Sequence, residues 1–210
     1  MNQKRIGLFG GSFDPPHLGH EALALAALQQ LALDELWVIP AGVPVHRQLT
    51  PSVDAEKRYA WVAEMFASEP RIRVKSWEAA CTAPVAAVDT LRRFREESGG
   101  NVPVWISGAD SYASMSGWIG YPEHMQLCNV AVFSRAGEAA PRLHAGWKAL
   151  TLRQWLDAVQ CGAGHALVID AELPDISATQ VRTAAAAGAS LNGLVNSRIC
   201  EEVGQAYRAG

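Results

Sequence analysis

Closely spaced cysteines are missing from this 210-residue chain. Its four, Cys81, Cys128, Cys161 and Cys200, lie 47, 33 and 39 residues apart. No CxxC pair exists for zinc or dithiol redox chemistry, so they read as buried or idle thiols. An excess of positive charge is missing too: 18 Lys and Arg against 21 Asp and Glu leave a formal net charge of −3. That argues against a nucleic acid or an anionic membrane as the main partner, whereas a small anionic ligand needs only a local cluster of donors. No apolar run nears the roughly 20 residues that cross a bilayer. The leading MNQKRIGLFGG enters a strand within five residues, which leaves no room for a signal peptide, and the expected setting is a reducing cytoplasm.

What is present is an ordinary globular balance, 49% hydrophobic and 19% charged, enough for one full-sized core and a single domain over residues 1–210. Strand and helix signals alternate. Apolar runs at 6–9, 36–39, 72–74, 102–106, 130–133 and 166–169 predict strands, and a helix starts near Leu18 with Leu18, Ala22, Leu25 and Leu28 at helical spacing. Further helices are expected at 55–68, 88–97, 147–159, 179–187 and 199–207. This rhythm implies an α/β fold: a parallel sheet with helices on both faces and a helical C-terminal end. Ligands in such sheets bind beyond the carboxyl ends of the strands, where the loops 10–20, 40–47 and 108–118 fall.

The first of those loops, GGSFDPPHLGH, carries the most chemistry. Gly10 and Gly11 allow backbone N–H groups to approach a ligand, and Asp14-Pro15-Pro16 turns the chain into a helix. His17 and His20 then share a face of its first turn, where unpaired N–H groups and the dipole favour phosphate. A nearby anion would favour the protonated imidazoles. A zinc pair is the competing reading, but the i, i+3 spacing shows no third ligand, and no metal is assigned to these residues. In DISATQVR, Ser177 and Gln180 satisfy a capping box, which leaves Thr179 and Arg182 free for phosphates or simply on a solvated face.

Together the two stretches resemble a family. GGSFDPPHLGH is similar to the GxFDPxHxGH signature, and ISATQVR to the ISxTxxR signature, of the bacterial nicotinate mononucleotide adenylyltransferases, members of the HxGH nucleotidyltransferase superfamily. IPAGVPVHR, SGADSYASMSGW and VFSRAG extend the resemblance over most of the chain. It implies a Rossmann-like sheet and transfer of AMP from ATP to nicotinate mononucleotide, giving nicotinate adenine dinucleotide and pyrophosphate in NAD biosynthesis. Mg2+, bound mainly through the ATP phosphates, is the implied cofactor.

The resemblance also implies roles. His17, His20 and Arg182 would be catalytic, by positioning and charge neutralisation. Gly10, Gly11, Ser12 and Phe13 would line the nucleotide, Asp110 meet the ribose, and Ser177 and Thr179 cradle ATP phosphates. Arg47 would contact substrate phosphate, with Arg135 a second candidate, and Trp118 would stack on the pyridine ring. One departure stands out: Val85-Ala86-Ala87 replaces the family's Ser-Tyr-Thr. Recognition of the nicotinate carboxylate would rest on the backbone N–H groups of Ala87 and Ile119, and dual specificity for acid and amide is the alternative. Phosphopantetheine adenylyltransferase normally has threonine where His17 stands. A class I aminoacyl-tRNA synthetase would need a KMSKS-like loop, and a non-catalytic nucleotide sensor would have lost the phosphate ligands.

Overall fold

The computed structural model describes residues 4–43, 53–137, 139–158 and 162–208. Its strands, in chain order, are β1 (Ile6–Gly11), β2 (Glu35–Pro40), β3 (Ile72–Val74), β4 (Val104–Gly108), β5 (Asn129–Arg135), β6 (Lys148–Ala149) and β7 (His165–Ala171). All pair in parallel, in the order β3-β2-β1-β4-β5-β7-β6. The helices are α1 (Leu18–Gln30), α2 (Ala55–Met65), α3 (Ala87–Glu97), α4 (Ala109–Ser114), α5 (His124–Leu127), α6 (Leu152–Ala158), α7 (Ala178–Ala186) and α8 (Cys200–Ala206). Strand order reverses between β1 and β4, so the crevice of this Rossmann-like fold opens at their carboxyl ends.

Period-two burial on both faces makes the sheet. Along β2, Leu36 and Val38 enter one apolar cluster while Trp37 and Ile39 enter the other; Val104 and Ile106 of β4 oppose Trp105 in the same way. The first cluster is closed by Leu28 of α1, Trp61 of α2, Val181 of α7 and Val203 of α8, the second by Leu91 and Phe94 of α3 and Tyr112 of α4. Among the described residues, no helix is long and apolar enough to cross a membrane.

Several sequence expectations need correction. The helix expected at 147–159 starts only at Leu152, and the Lys148–Ala149 pair is an exposed edge strand against His165 and Ala166. Thr151 sets the helix start: its N–H donates to Gln154 Oε1 at 2.9 Å while its hydroxyl accepts from Gln154 N–H at 3.4 Å. Val159 lies outside the described residues. The buried stripe of α1 is Leu23, Ala24, Ala27 and Leu28, one phase away from that expected, because LALAAL is apolar all round and fixes no phase. The expected loop 108–118 is mostly α4 followed by a 3-10 turn at Met115–Gly117. β4 begins at Val104, not Val102, since Pro103 has no N–H for the ladder.

Candidate active site

His17 is the N-cap of α1, with extended backbone (φ −146°, ψ 169°), so only His20 belongs to the first turn. The two rings nevertheless stack, centroids 3.7 Å apart and planes 29° from parallel. The His17 backbone N–H donates to His20 Nδ1 at 3.3 Å, which in neutral His20 leaves the proton on Nε2. Gly19 between them permits this packing: a Cβ there would lie 3.0 Å from His17 Nδ1 and 3.3 Å from the Ile176 carbonyl oxygen. Burial, with Arg135 nearby, pushes the His17 imidazole down to about 4. In the unliganded protein it is therefore neutral at pH 7, and the protonated form expected beside an anion would have to be raised by that anion.

The loop before α1 is braced from the C-terminal helices. Asp14, 5% exposed, accepts from the Tyr207 hydroxyl at 2.6 Å. Arg182 donates from Nη1 to the Asp14 carbonyl at 2.6 Å and from Nη2 to Thr179 Oγ1 at 3.0 Å. Ser177 caps α7, accepting from Gln180 N–H at 3.2 Å. Ser177, Thr179 and Arg182 thus stand together at the start of α7 but do not line the cavities below; Leu173, Pro174 and Ile176 do. Phe13 is corrected as well: at 1% exposure it lies beneath the loop, edge-on to Phe9 and His20, and lines neither cavity.

Two cavities adjoin at the switch point and share Gly10, Gly11, Ser12, Asp110 and Ser111. The first, about 320 Å³, also presents His17, His20 and Arg135. Arg135, from the sequence only a second candidate, lines this cavity and is paired with the exposed Asp175 at 3.2 Å. The second, about 490 Å³, runs past Ala41, Glu78, Val85 and Ala87 to Trp118. The Trp118 indole is steadied by Ser114 Oγ at 3.1 Å and lies edge-on to Trp105. Ala87 is the first residue of α3 and stands in the wall, whereas the Ile119 side chain is 56% exposed and Ile119 does not line it. Arg47 lies outside the described residues.

Two wall-building residues escaped the sequence reading. Arg58, 1% exposed, donates to the carbonyl oxygens of Ser12, Gly42 (2.8 Å) and Val53 (3.1 Å). It ties the loops after β1 and β2 to the entry of α2. Its signal was a cation on the apolar stripe Arg58, Trp61, Val62, Met65. Glu78, 8% exposed, accepts from the Thr90 hydroxyl at 2.6 Å, and burial pushes its carboxyl up to about 7. Nothing local in the sequence marks it as cavity-facing.

A parallel switch point with a glycine loop, a histidine pair at a helix N-terminus and two communicating cavities defines a nucleotide-handling Rossmann-like domain. Residues 8–184 match the cytidylyltransferase-like family. A Chromobacterium violaceum protein named "Probable nicotinate-nucleotide adenylyltransferase" is 34% identical over 91% of this chain and 92% of its own length. A Pseudomonas putida protein of the same name is 32% identical over 98% and 96%. The fold is shared with the Plasmodium falciparum nicotinic acid mononucleotide adenylyltransferase solved with NaAD (TM-score 0.71, 14% identity, 95% of this chain and 96% of that one). The chain belongs to the cytidylyltransferase-like family, and within it to the nicotinate-nucleotide adenylyltransferases.

Proposed function

We propose that the protein transfers AMP from ATP to nicotinate mononucleotide, releasing pyrophosphate and forming nicotinate adenine dinucleotide for NAD biosynthesis. The observation that carries this reading is the meeting of the two cavities at Gly10, Gly11 and Ser12, with the histidine pair on one side and Trp118 on the other. ATP occupies the first cavity and the pyridine of the acceptor stacks on Trp118 in the second. An oxygen of the acceptor phosphate attacks the α-phosphorus, the bond from that phosphorus to the bridging oxygen breaks, and pyrophosphate leaves with the electron pair. The attacking group is already anionic, so no base and no covalent enzyme intermediate is needed. Alignment and charge neutralisation do the chemistry.

In this reading His20 donates Nε2–H to phosphoryl oxygen, and His17, beside it, donates its own ring N–H. Arg135 supplies fixed charge from the cavity wall, and Arg182 with Ser177 and Thr179 closes on the polyphosphate from the start of α7. Asp110, shared by both cavities, takes a ribose hydroxyl. Ala87, at the N-terminus of α3, offers its backbone N–H to the ring carboxylate, and Ile119 does so just beyond Trp118. Mg2+ would neutralise phosphate charge when bound. It would be held mainly through the ATP phosphate oxygens. The protein works in the cytoplasm on small nucleotides. Incubation with ATP and, separately, nicotinate mononucleotide, nicotinamide mononucleotide or phosphopantetheine tests the assignment. A nicotinate dinucleotide as the main product is expected, and dephospho-coenzyme A as the main product would refute it.

A further inference from the structure

Two acidic residues, Glu78 and Asp110, line the second cavity, and among the described residues no Lys, Arg or His does. Asp110 is exposed, but Glu78 is 8% exposed and is held by one hydrogen bond, from Thr90 of α3. The turn carrying it is fixed: a Cβ at Gly42 would collide with the Glu78 carbonyl oxygen, and Gly42 is itself held by Arg58 at 2.8 Å. The neighbouring wall residues Val85 and Ala87 bring no side-chain polar atoms, so Glu78 is the buried ionisable residue among those lining this cavity. We propose that Glu78, positioned by Thr90, is a specificity-determining residue that discriminates the charge of the acceptor's ring substituent. Protonated, its carboxyl donates a hydrogen bond to a ring carboxylate; ionised, it repels the carboxylate and accepts from the NH₂ of a carboxamide. This rests on the proposed adenylyl transfer to pyridine mononucleotides.

Burial raises the Glu78 carboxyl to about 7, so its charge changes within the working pH range. The charged and titratable groups on the surrounding elements are Asp110 of α4 across the cavity, Cys81 in the same turn, Arg58 of α2 behind Gly42, and Lys75 and Arg93 against Trp77. No hydrogen bond or ion pair joins any of them to Glu78 among the described residues. The test is kcat/KM for nicotinate and nicotinamide mononucleotides from pH 5.5 to 8.5. Their ratio cancels the titration of ATP and of the shared phosphate. In the wild type the acid-to-amide ratio should fall about tenfold across this range, as one charge-assisted hydrogen bond is exchanged for repulsion. In Glu78→Gln the ratio should be flat. Thr90→Val, which removes the donor that stabilises the carboxylate, should move the midpoint to higher pH and decides the matter if the Gln variant does not fold. A flat wild-type ratio, an unchanged slope in Glu78→Gln, or an unmoved midpoint in Thr90→Val would overturn the role of Glu78. Failure to adenylylate either mononucleotide would instead overturn the parent reading.

Discussion

His17→Asn removes a titrating ring from the most constrained point of the site, and its effect on stability can be worked out from the burial. The imidazole falls from an ordinary 6.5 to about 4 in the folded protein, chiefly by desolvation, with the Arg135 charge adding to it. Between those values the unfolded chain carries a proton on residue 17 that the folded chain refuses. Unfolding therefore takes up a proton, and stability rises with pH through this window. At about 1.4 kcal/mol per unit, the wild type gains on the order of 3 kcal/mol from pH 4 to 6.5 through this one group. Asparagine keeps a polar side chain of similar reach without the titration. Urea unfolding followed by tryptophan fluorescence at pH 4, 5, 6 and 7.5 gives the difference between wild type and variant. His124, which burial also depresses, cancels in that difference. Above pH 7 the two curves should run parallel. Below it the variant should gain on the wild type until about pH 4. Parallel curves over the whole range would mean that His17 is solvated in the folded state, and the stacked, buried geometry would be wrong.

Other variants probe the site from different sides. His20→Ala should lower kcat by about 10²-fold with the fold intact, as for loss of one preorganised donor to developing charge; normal turnover would remove His20 from the catalytic set. Trp118→Ala should weaken acceptor binding by roughly 1 to 3 kcal/mol, by analogy with aromatic platforms for bases, and leave the KM for ATP near its original value. A matched rise in both KM values would mean that the indole holds the cleft together instead of carrying the ring. Tyr207→Phe deletes the hydroxyl that donates to buried Asp14 at 2.6 Å. It should cost about 1.5 to 3 kcal/mol in chemical denaturation, and an unchanged midpoint would deny that the C-terminal helix end braces the loop before α1.

The sequence by itself determined the alternation of strands and helices, and with it the parallel sheet, because short continuous apolar runs such as Leu36–Ile39 must be buried on both faces. The HLGH motif, too, was legible in the sequence, and its packing gives Gly19 a local reason to be glycine: the His17 ring sits against it. Local signals are weak at two elements. The uniformly apolar α1 gave no phase, and the stretch from Trp147 carries a helical pattern although Lys148–Ala149 form a two-residue edge strand. Only the tertiary structure decided which polar groups meet. Arg182 reaches Asp14 across 168 residues of chain, Tyr207 reaches it across 193, and Glu78 lines the second cavity in a turn held by Thr90 and packed against Gly42, from two other elements. Such contacts depend on how loops from different crossovers converge on one strand edge, and desolvation, which moves His17 and Glu78 in opposite directions of charge, exists only once that convergence has excluded water.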